Sequence, residues 1–448
     1  MECFRFILSP LDKIQAQKYN KTEFIQVPNE NIGLGRGQLR LRQLLVSLAR
    51  GRTIPVGYTV MSTALNADPL HFHYIDDSSG LSDLTQKLSG ASIVAVDIEA
   101  DSFHHYYPKV CLIQISFSGD NFIVDPLAGL DLSGFLKELT SKNLIFHDSG
   151  YDLRMMRHCF GFEPKGEIFD TMLAGKLLGV ESLNLAGMLQ SILNVSISKG
   201  SQKADWSRRP LSDSLLRYAA MDTLHLLELA DKMEQKLCQQ NRTGWHKQMC
   251  RQSVCAAMNH TRTFDPEKDW RIKGSSRLTP RQLAFLKQLW LWREKQAQRA
   301  DLPPFRILHN ERLIALAVGA ESRTKPNFND LCQSLKHCRG KRLDALHKAM
   351  EKAFHQKSSQ WPQSKPASRA SRPDTQLLAR IEKIRKACQK AAEQNSLSAE
   401  LILSRALIGK LAQTGPEGLE KMIRDGSILP WQADLLREPL RKIFEKIS

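Results

Sequence analysis

Acidic side chains and one tyrosine sit in three short, widely separated segments: Val94-Ala95-Val96-Asp97-Ile98-Glu99, Ile145-Phe146-His147-Asp148-Ser149-Gly150-Tyr151-Asp152-Leu153, and Tyr218-Ala219-Ala220-Met221-Asp222. Carboxylates drawn together from distant parts of a chain are what a protein needs to hold two hard divalent cations. Such cations most often act on phosphodiesters.

The spacing within each segment supports convergence. Asp97 and Glu99 lie two apart at the end of a strand pattern, so both carboxylates face one side. Ile98 then points the other way or wedges beside a substrate. Two carboxylates this close repel unless a cation lies between them. Tyr218 and Asp222 are four apart on a helix pattern and share a face. Asp222 would complete a metal-ligand set with Asp97 and Glu99, and the Tyr218 hydroxyl would stand one turn away. A phenol with a pKa of ~10 is a poor base at neutral pH, so Tyr218 is assigned to orienting the attacking water. Asp152 opens a helix after the His147–Tyr151 turn and is the candidate for the second cation. Asp148 competes for that role or caps the turn, as Asp does before Ser-Gly. His147 follows a buried strand and is either a structural histidine or a substrate contact. Taken singly, each residue has a plainer reading: strand-end acids, a core tyrosine, a surface aspartate. The combination carries the argument.

These residues need a scaffold, and the pattern supplies one. From about Leu70 to Glu234 strands alternate with helices. Ile93–Asp97, Cys111–Phe117, Asn121–Val124 and Leu144–His147 read as strands, and Asp152–Cys159 and Leu215–Lys236 as helices. The expectation is an α/β domain on a mixed sheet flanked by helices. After Gly274 strand signals fade, and Leu278, Leu283, Leu286, Leu289, Trp290 and Trp292 begin an amphipathic helical series. Residues 357–374, rich in Ser, Pro and basic side chains, read as a linker. A second helical block runs from 375 to 448, similar enough in length and pattern to suggest a duplicated module. Residues 1–65 are a basic extension of different texture, with no signal-peptide core. Met61 reads like a natural start, so an upstream start codon is one explanation of the extension.

Charge is unevenly spread. The chain's net +17 comes from about +5 over residues 1–60, −4 over 61–273 and +16 over 274–448. A mildly acidic carboxylate half beside a strongly basic helical half suits a nuclease that grips nucleic acid away from its chemistry. The nine cysteines show no metal-finger spacing and read as reduced thiols of a cytoplasmic protein. No apolar run approaches the ~20 residues that span a bilayer. No phosphate-binding loop of the G-x-x-x-x-G-K-[ST] kind occurs, which removes helicases and a nucleotide cofactor.

The three segments resemble the exonuclease motifs of the ribonuclease D group, in the tyrosine-containing branch of the DEDD superfamily. Supporting stretches are Tyr106-Tyr107-Pro108-Lys109-Val110-Cys111-Leu112-Ile113-Gln114-Ile115, Phe169-Asp170-Thr171 and the run Gln202 to Ser212. The helical blocks resemble HRDC modules, small helical domains found in that group and in RecQ-type helicases. The resemblance implies an RNase H-like exonuclease domain over 66–265, an HRDC domain over 275–356 and a second HRDC-like domain over 375–448. By position it makes Asp97, Glu99, Asp152 and Asp222 ligands of two Mg²⁺ or Mn²⁺ ions and Tyr218 the water-orienting residue. It implies 3′→5′ hydrolysis to nucleoside 5′-monophosphates, on RNA with a single-stranded 3′ end such as precursor tRNA, by a monomer. Substrate contacts are expected from Ile98, His147, Lys199, Gln202, Trp206 and Arg209, with Trp206 either stacking on a base or packing beneath its loop. Ile98 and Ala100 stand where the group often has Thr and Phe flanking the glutamate, which bears on how a terminal base is held. The rival readings are a 3′→5′ DNA exonuclease and a non-catalytic nucleic-acid-binding protein. The second would be favoured by a missing carboxylate, and none is missing.

Overall fold

The computed structural model describes residues 70–445, apart from 198–199, 201, 261–263, 326, 334, 336–337 and 364–373. The N-terminal extension, Lys199 and most of the 357–374 linker therefore lie outside the described residues. Six strands form one sheet: β1 (His73–Ile75), β2 (Ile93–Ala100), β3 (Val110–Phe117), β4 (Asp120–Val124), β5 (Asn143–Phe146) and β6 (Ile168–Asp170), in the order β1-β4-β3-β2-β5-β6. The β2–β3 and β3–β4 pairs are antiparallel; β1–β4, β2–β5 and β5–β6 are parallel. The mixed sheet expected from sequence is present. β1 and β6, at three residues each, are too short to show a period and were not anticipated.

β2 shows why the sheet can carry chemistry. Val94, Val96 and Ile98 enter a core with Phe117, Phe135, Leu144 and Phe146, while Ala95 enters a different core on the opposite face. Strand alternation therefore places Asp97 and Glu99 away from the Ile98 core.

Eight helices cover this sheet: α1 (Ser78–Ser89), α2 (Ser133–Thr140), α3 (Ser149–Phe160), α4 (Thr171–Leu178), α5 (Leu185–Leu193), α6 (Asp213–Leu224), α7 (Leu226–Gln239) and α8 (Thr243–Met258). The helix read from sequence over 215–236 is two helices, broken at His225 (φ −106°, ψ 2°). The break has a packing cause. α6 lays Ala219 and Ala220 against Cys111, Leu112 and Ile123, whereas α7 lays Leu229, Ala230 and Met233 into the core beneath Ala95. One straight helix could not follow both surfaces.

Beyond Gly274 the described chain is helical: α9 (Pro280–Ala300), α10 (Pro304–Ile307), α11 (Asn310–Glu321), α12 (Asn329–Cys332) and α13 (Lys341–Phe354), then α14 (Thr375–Gln394), α15 (Ala399–Ile402), α16 (Arg405–Arg424) and α17 (Pro430–Glu445). α9 starts with a reciprocal Thr279/Gln282 capping box. α16 is interrupted at Gly415, whose φ of 68° is followed by Pro416. Both blocks open on a long helix, a four-residue helix and a further helix; the first then adds the four-residue α12 before α13, so the two differ after their shared opening.

The first block has a core of its own, built on Trp270, Phe285, Leu286, Leu289 and Phe328. The second does not. Ile384, Leu411, Trp431 and Leu436 lie in one continuous core with Leu177, Met188, Leu229 and Met233 of the sheet domain. Trp431 stacks on Trp245 of α8 at 4.7 Å and 15°, and Gln252 donates to the Gly426 carbonyl at 2.6 Å. Trp431→Ala should cost about 3–5 kcal/mol of stability. Because the core is shared, urea unfolding should show one transition moved to lower denaturant. Two resolved transitions, with the sheet domain's midpoint unmoved, would contradict this.

Candidate active site

Register brings the sequence motifs together. Asp97 pairs with Gln114 and Glu99 with Leu112 across β2–β3, and the ladder shifts between Glu99 and Ala100. α6 starts at a Ser212 cap and crosses β2, β3 and β4, bringing Asp222 to Asp97 and Glu99 with Tyr218 one turn away. One ligand oxygen from each of Asp97, Glu99 and Asp222 lies within 4.8 Å of the others. Asp152 enters from the first turn of α3, 7 % exposed.

The start of α3 is built unusually. Asp148 occupies the N-cap position in the left-handed region (φ 67°) and its side chain makes no cap hydrogen bond. The buried Asp170 carboxylate does that work. It accepts from the Ser149 N–H and hydroxyl, both at 2.8 Å, and from the Asp148 N–H at 3.3 Å, while also capping α4 through Leu173. Asp148 is exposed, so of the two aspartates in this turn Asp152 is the one buried at the cluster. The capping role read for Asp148 belongs to Asp170.

Electrostatics bear on whether the cluster fits a metal. Burial pushes Asp97 up to about 7, against a backbone hydrogen bond at Ile98. Burial, then the charges of Asp97, Asp222 and Asp152, push Glu99 up to about 10. Burial and Asp97 push Asp222 up to about 8, against a hydrogen bond from Tyr218. Asp152 is raised by burial and then by Asp97, Asp148 and Asp170, with Arg154 opposing. Among the described residues no Lys or Arg forms an ion pair with these four. Gln114, fully buried with both amide atoms unpartnered, shares the sheet face of Asp97. A hard, all-oxygen donor set without its own cation, backed by an unsatisfied amide, fits divalent metal ions.

Tyr218 stacks on Trp206 at 6.1 Å. Its hydroxyl is held well above its ordinary pKa by burial and then by Asp222, Glu99 and Asp97, with a Gln202 hydrogen bond opposing. It therefore stays protonated at neutral pH. Gly200 lies flat against this ring: a Cβ there would come within 1.7 Å of the Tyr218 ring, so only glycine fits without moving the tyrosine.

Arg209 is corrected as a substrate contact, and at Ile98 and Trp206 the packed alternative holds. Ile98 is 5 % exposed and belongs to the core behind the sheet. Trp206 is 0 % exposed, so it packs beneath its loop and offers no face to a base. Arg209 has its N–H groups taken up internally, by both Asp125 oxygens at 2.5 and 2.6 Å and by the carbonyls of Trp206, Arg208 and Cys111. No donor remains for a phosphate. His147 is half-buried, its Nδ1 2.9 Å from the Thr171 hydroxyl and its pKa lowered by burial, so it is neutral at pH 7. Gln202 remains next to Tyr218. Sequence reasoning passed over Gln114 and Arg154. The signals were there: a glutamine inside an apolar strand, and a cation two residues past Asp152.

A six-stranded mixed sheet with a carboxylate cluster and adjoining tyrosine on the face of an interior strand is the arrangement of a metal-dependent nuclease. In line with this, residues 72–238 match the family described as 3′-5′ exonuclease, and residues 282–325 match the HRDC domain. Ribonuclease D of Shewanella sp. (strain ANA-3) is 32 % identical over 292 residues, covering 62 % of this chain and 74 % of that one. Ribonuclease D of Pseudomonas paraeruginosa is 27 % identical over 381 residues, covering 83 % and 97 %. The chain belongs to the ribonuclease D family. In fold it is similar to a Bifidobacterium adolescentis protein (TM-score 0.70, 23 % identity, covering 83 % and 97 %). It is likewise similar to Escherichia coli RNase D (TM-score 0.62, 23 % identity, covering 84 % and 99 %), an exoribonuclease involved in structured RNA processing.

Proposed function

We propose that this protein is a metal-dependent 3′→5′ exoribonuclease that trims RNA to nucleoside 5′-monophosphates. The observation that carries the reading is the meeting of Asp97, Glu99 and Asp222 oxygens within 4.8 Å, with Asp152 and Tyr218 beside them. Asp97, Glu99 and Asp222 would hold one Mg²⁺ or Mn²⁺, and Asp152 a second. When bound, such ions lower the pKa of water and stabilise a leaving oxygen. The chain's own residues do the rest. Tyr218, a hydroxyl donor at neutral pH, orients the attacking water, and Gln202 and Asp222 fix that hydroxyl.

The substrate we favour is structured RNA with a single-stranded 3′ end, precursor tRNA among them, handled by a monomer in the cytoplasm without a nucleotide cofactor. The basic C-terminal half supports a sequence-independent grip, as do the ribonuclease D names of its relatives. Among the described residues no helix is long and apolar enough to cross a membrane.

The test is incubation of the full chain with a 3′-extended RNA and a matched DNA, with Mg²⁺ or Mn²⁺ and with EDTA. The expected result is release of 5′-monophosphates from RNA, stopped by EDTA. Metal-independent cleavage, internal cuts or 3′-monophosphate products would overturn the reading, and equal digestion of DNA would widen it.

A further inference from the structure

A cleft of about 860 Å³ opens between α3, the 101–108 segment and α9 of the HRDC block; none of the four carboxylates lines it, but Arg154 on its wall acts on the charge of Asp152. Its volume is in the size range of small-ligand sites. Two of its walls are built from residues next to the site in sequence. Tyr151 and Arg154 flank Asp152 on α3, and Ser102, three residues past Glu99, receives a hydrogen bond from the Tyr151 hydroxyl at 3.1 Å.

Its lining is unusual for a protein surface. Tyr107 is 57 % exposed, Phe264 49 % and Tyr151 39 %. Phe264 lies parallel to the buried Trp290 at 5.5 Å and 13°, which fixes its ring and turns its outer face to the cleft. Large aromatic faces held rigid and open to water mark a binding surface.

Charge narrows the occupant. Arg154 has no ion-pair or hydrogen-bond partner among the described residues, and the exposed His158 stands one turn on along α3. Two acids also line the cleft: Glu294 is engaged by Arg293 and by the Tyr106 hydroxyl at 3.2 Å, and Asp269 accepts from the Asp265 N–H at 3.0 Å. Flat π-faces beside a free guanidinium suit a base joined to a phosphate. Single-stranded nucleic acid is bound by this pairing of stacking platform and cation. The Arg209 and Trp206 side chains, both spent internally, leave this wall to take over their expected duties.

We propose that this interdomain cleft seats the single-stranded RNA tail just upstream of the nucleotide being removed, with bases on Phe264 and Tyr107 and backbone phosphate on Arg154. The proposal rests on the exoribonuclease reading above. It adds that the HRDC block, through the Trp290–Phe264 platform, builds part of the substrate path.

The test uses the full chain and two surface truncations, Phe264→Ala and Tyr107→Ala, whose side chains are exposed enough for the fold to tolerate their loss. Binding of a fluorescent single-stranded oligoadenylate is measured in EDTA, and hydrolysis of that oligomer and of a dinucleotide is measured with Mg²⁺. Each variant should bind the oligomer about 5- to 100-fold more weakly, the range set by losing one stacked base. KM for the oligomer should rise with kcat held, and the dinucleotide, too short to reach the cleft, should be cut as by wild type. Unchanged oligomer binding would overturn the proposal, and so would dinucleotide cleavage falling in step. AMP competing as well as the oligomer would show a mononucleotide site in place of a tail path. If the wild type bound RNA in EDTA but cut none, the exoribonuclease reading would fail while the binding arm still judged the cleft.

Discussion

Asp97→Asn leaves the chain folded, about 10³-fold or more slower in RNA hydrolysis, and harder to unfold when metal is absent. The rate loss follows from position. Asp97 meets Glu99 and Asp222 and also acts on Asp152, so its removal disturbs both proposed metal positions. Metal catalysis supplies several kcal/mol of transition-state stabilisation, and about 4 kcal/mol is about 10³-fold in rate. The gain in stability follows from burial. Asp97 ionises near 7 in the folded chain instead of its ordinary 3.8, so above pH 7 the metal-free fold carries a charge that the unfolded chain solvates better. An asparagine removes that penalty, for a gain on the order of 1–2 kcal/mol at pH 8 after allowance for water entering the site. Thermal melts in EDTA and single-turnover hydrolysis in Mg²⁺ check the two halves. RNA binding in EDTA should be nearly unchanged. Wild-type turnover would remove Asp97 from the chemistry, and a lower melting temperature in EDTA would refute the electrostatic account.

The second large effect is a reversal of pH dependence by metal. A carboxyl raised in the folded state contributes its stability in full below its unfolded pKa. That contribution is lost as pH rises through the folded value. With folded values of about 7, 8 and 10 for Asp97, Asp222 and Glu99, the metal-free protein should lose stability steadily from about pH 4 to pH 10. Mg²⁺ or Mn²⁺ needs the ionised forms and must displace their protons. Its stabilising effect should therefore grow with pH, with affinity falling roughly ten- to a hundredfold per unit below pH 7. Activity falls at acidic pH for the same reason. Calorimetry in buffers of different ionisation heat would count the protons released. A metal affinity flat from pH 6 to pH 8 would dismiss the linkage.

The parts of the site legible in the sequence are those fixed by local periodicity. Asp97 and Glu99 two apart on a strand, and Tyr218 and Asp222 four apart on a helix, could only share a face, and they do. What was hidden depends on partners far along the chain. Arg209 looked like a phosphate ligand until Asp125, 84 residues away, claimed it. Trp206 and Ile98 each left two readings open, and only the folded cores decide for packing at both. The break at His225 belongs to two surfaces meeting at an angle, which no periodicity within 215–236 records. Asp170, one residue before α4, gave no hint that it caps a helix more than twenty residues earlier. The cleft between α3 and α9 needed the third dimension altogether.

The stacking of Trp245 on Trp431 has an evolutionary corollary. The last seventy residues are structurally mortgaged to the domain that carries the carboxylates, so the two regions cannot drift independently. A chimera grafting a relative's terminal helices onto this chain should express poorly unless the facing residues of α7 and α8 travel with the graft. The HRDC block, with its self-sufficient interior, is the freer segment to exchange.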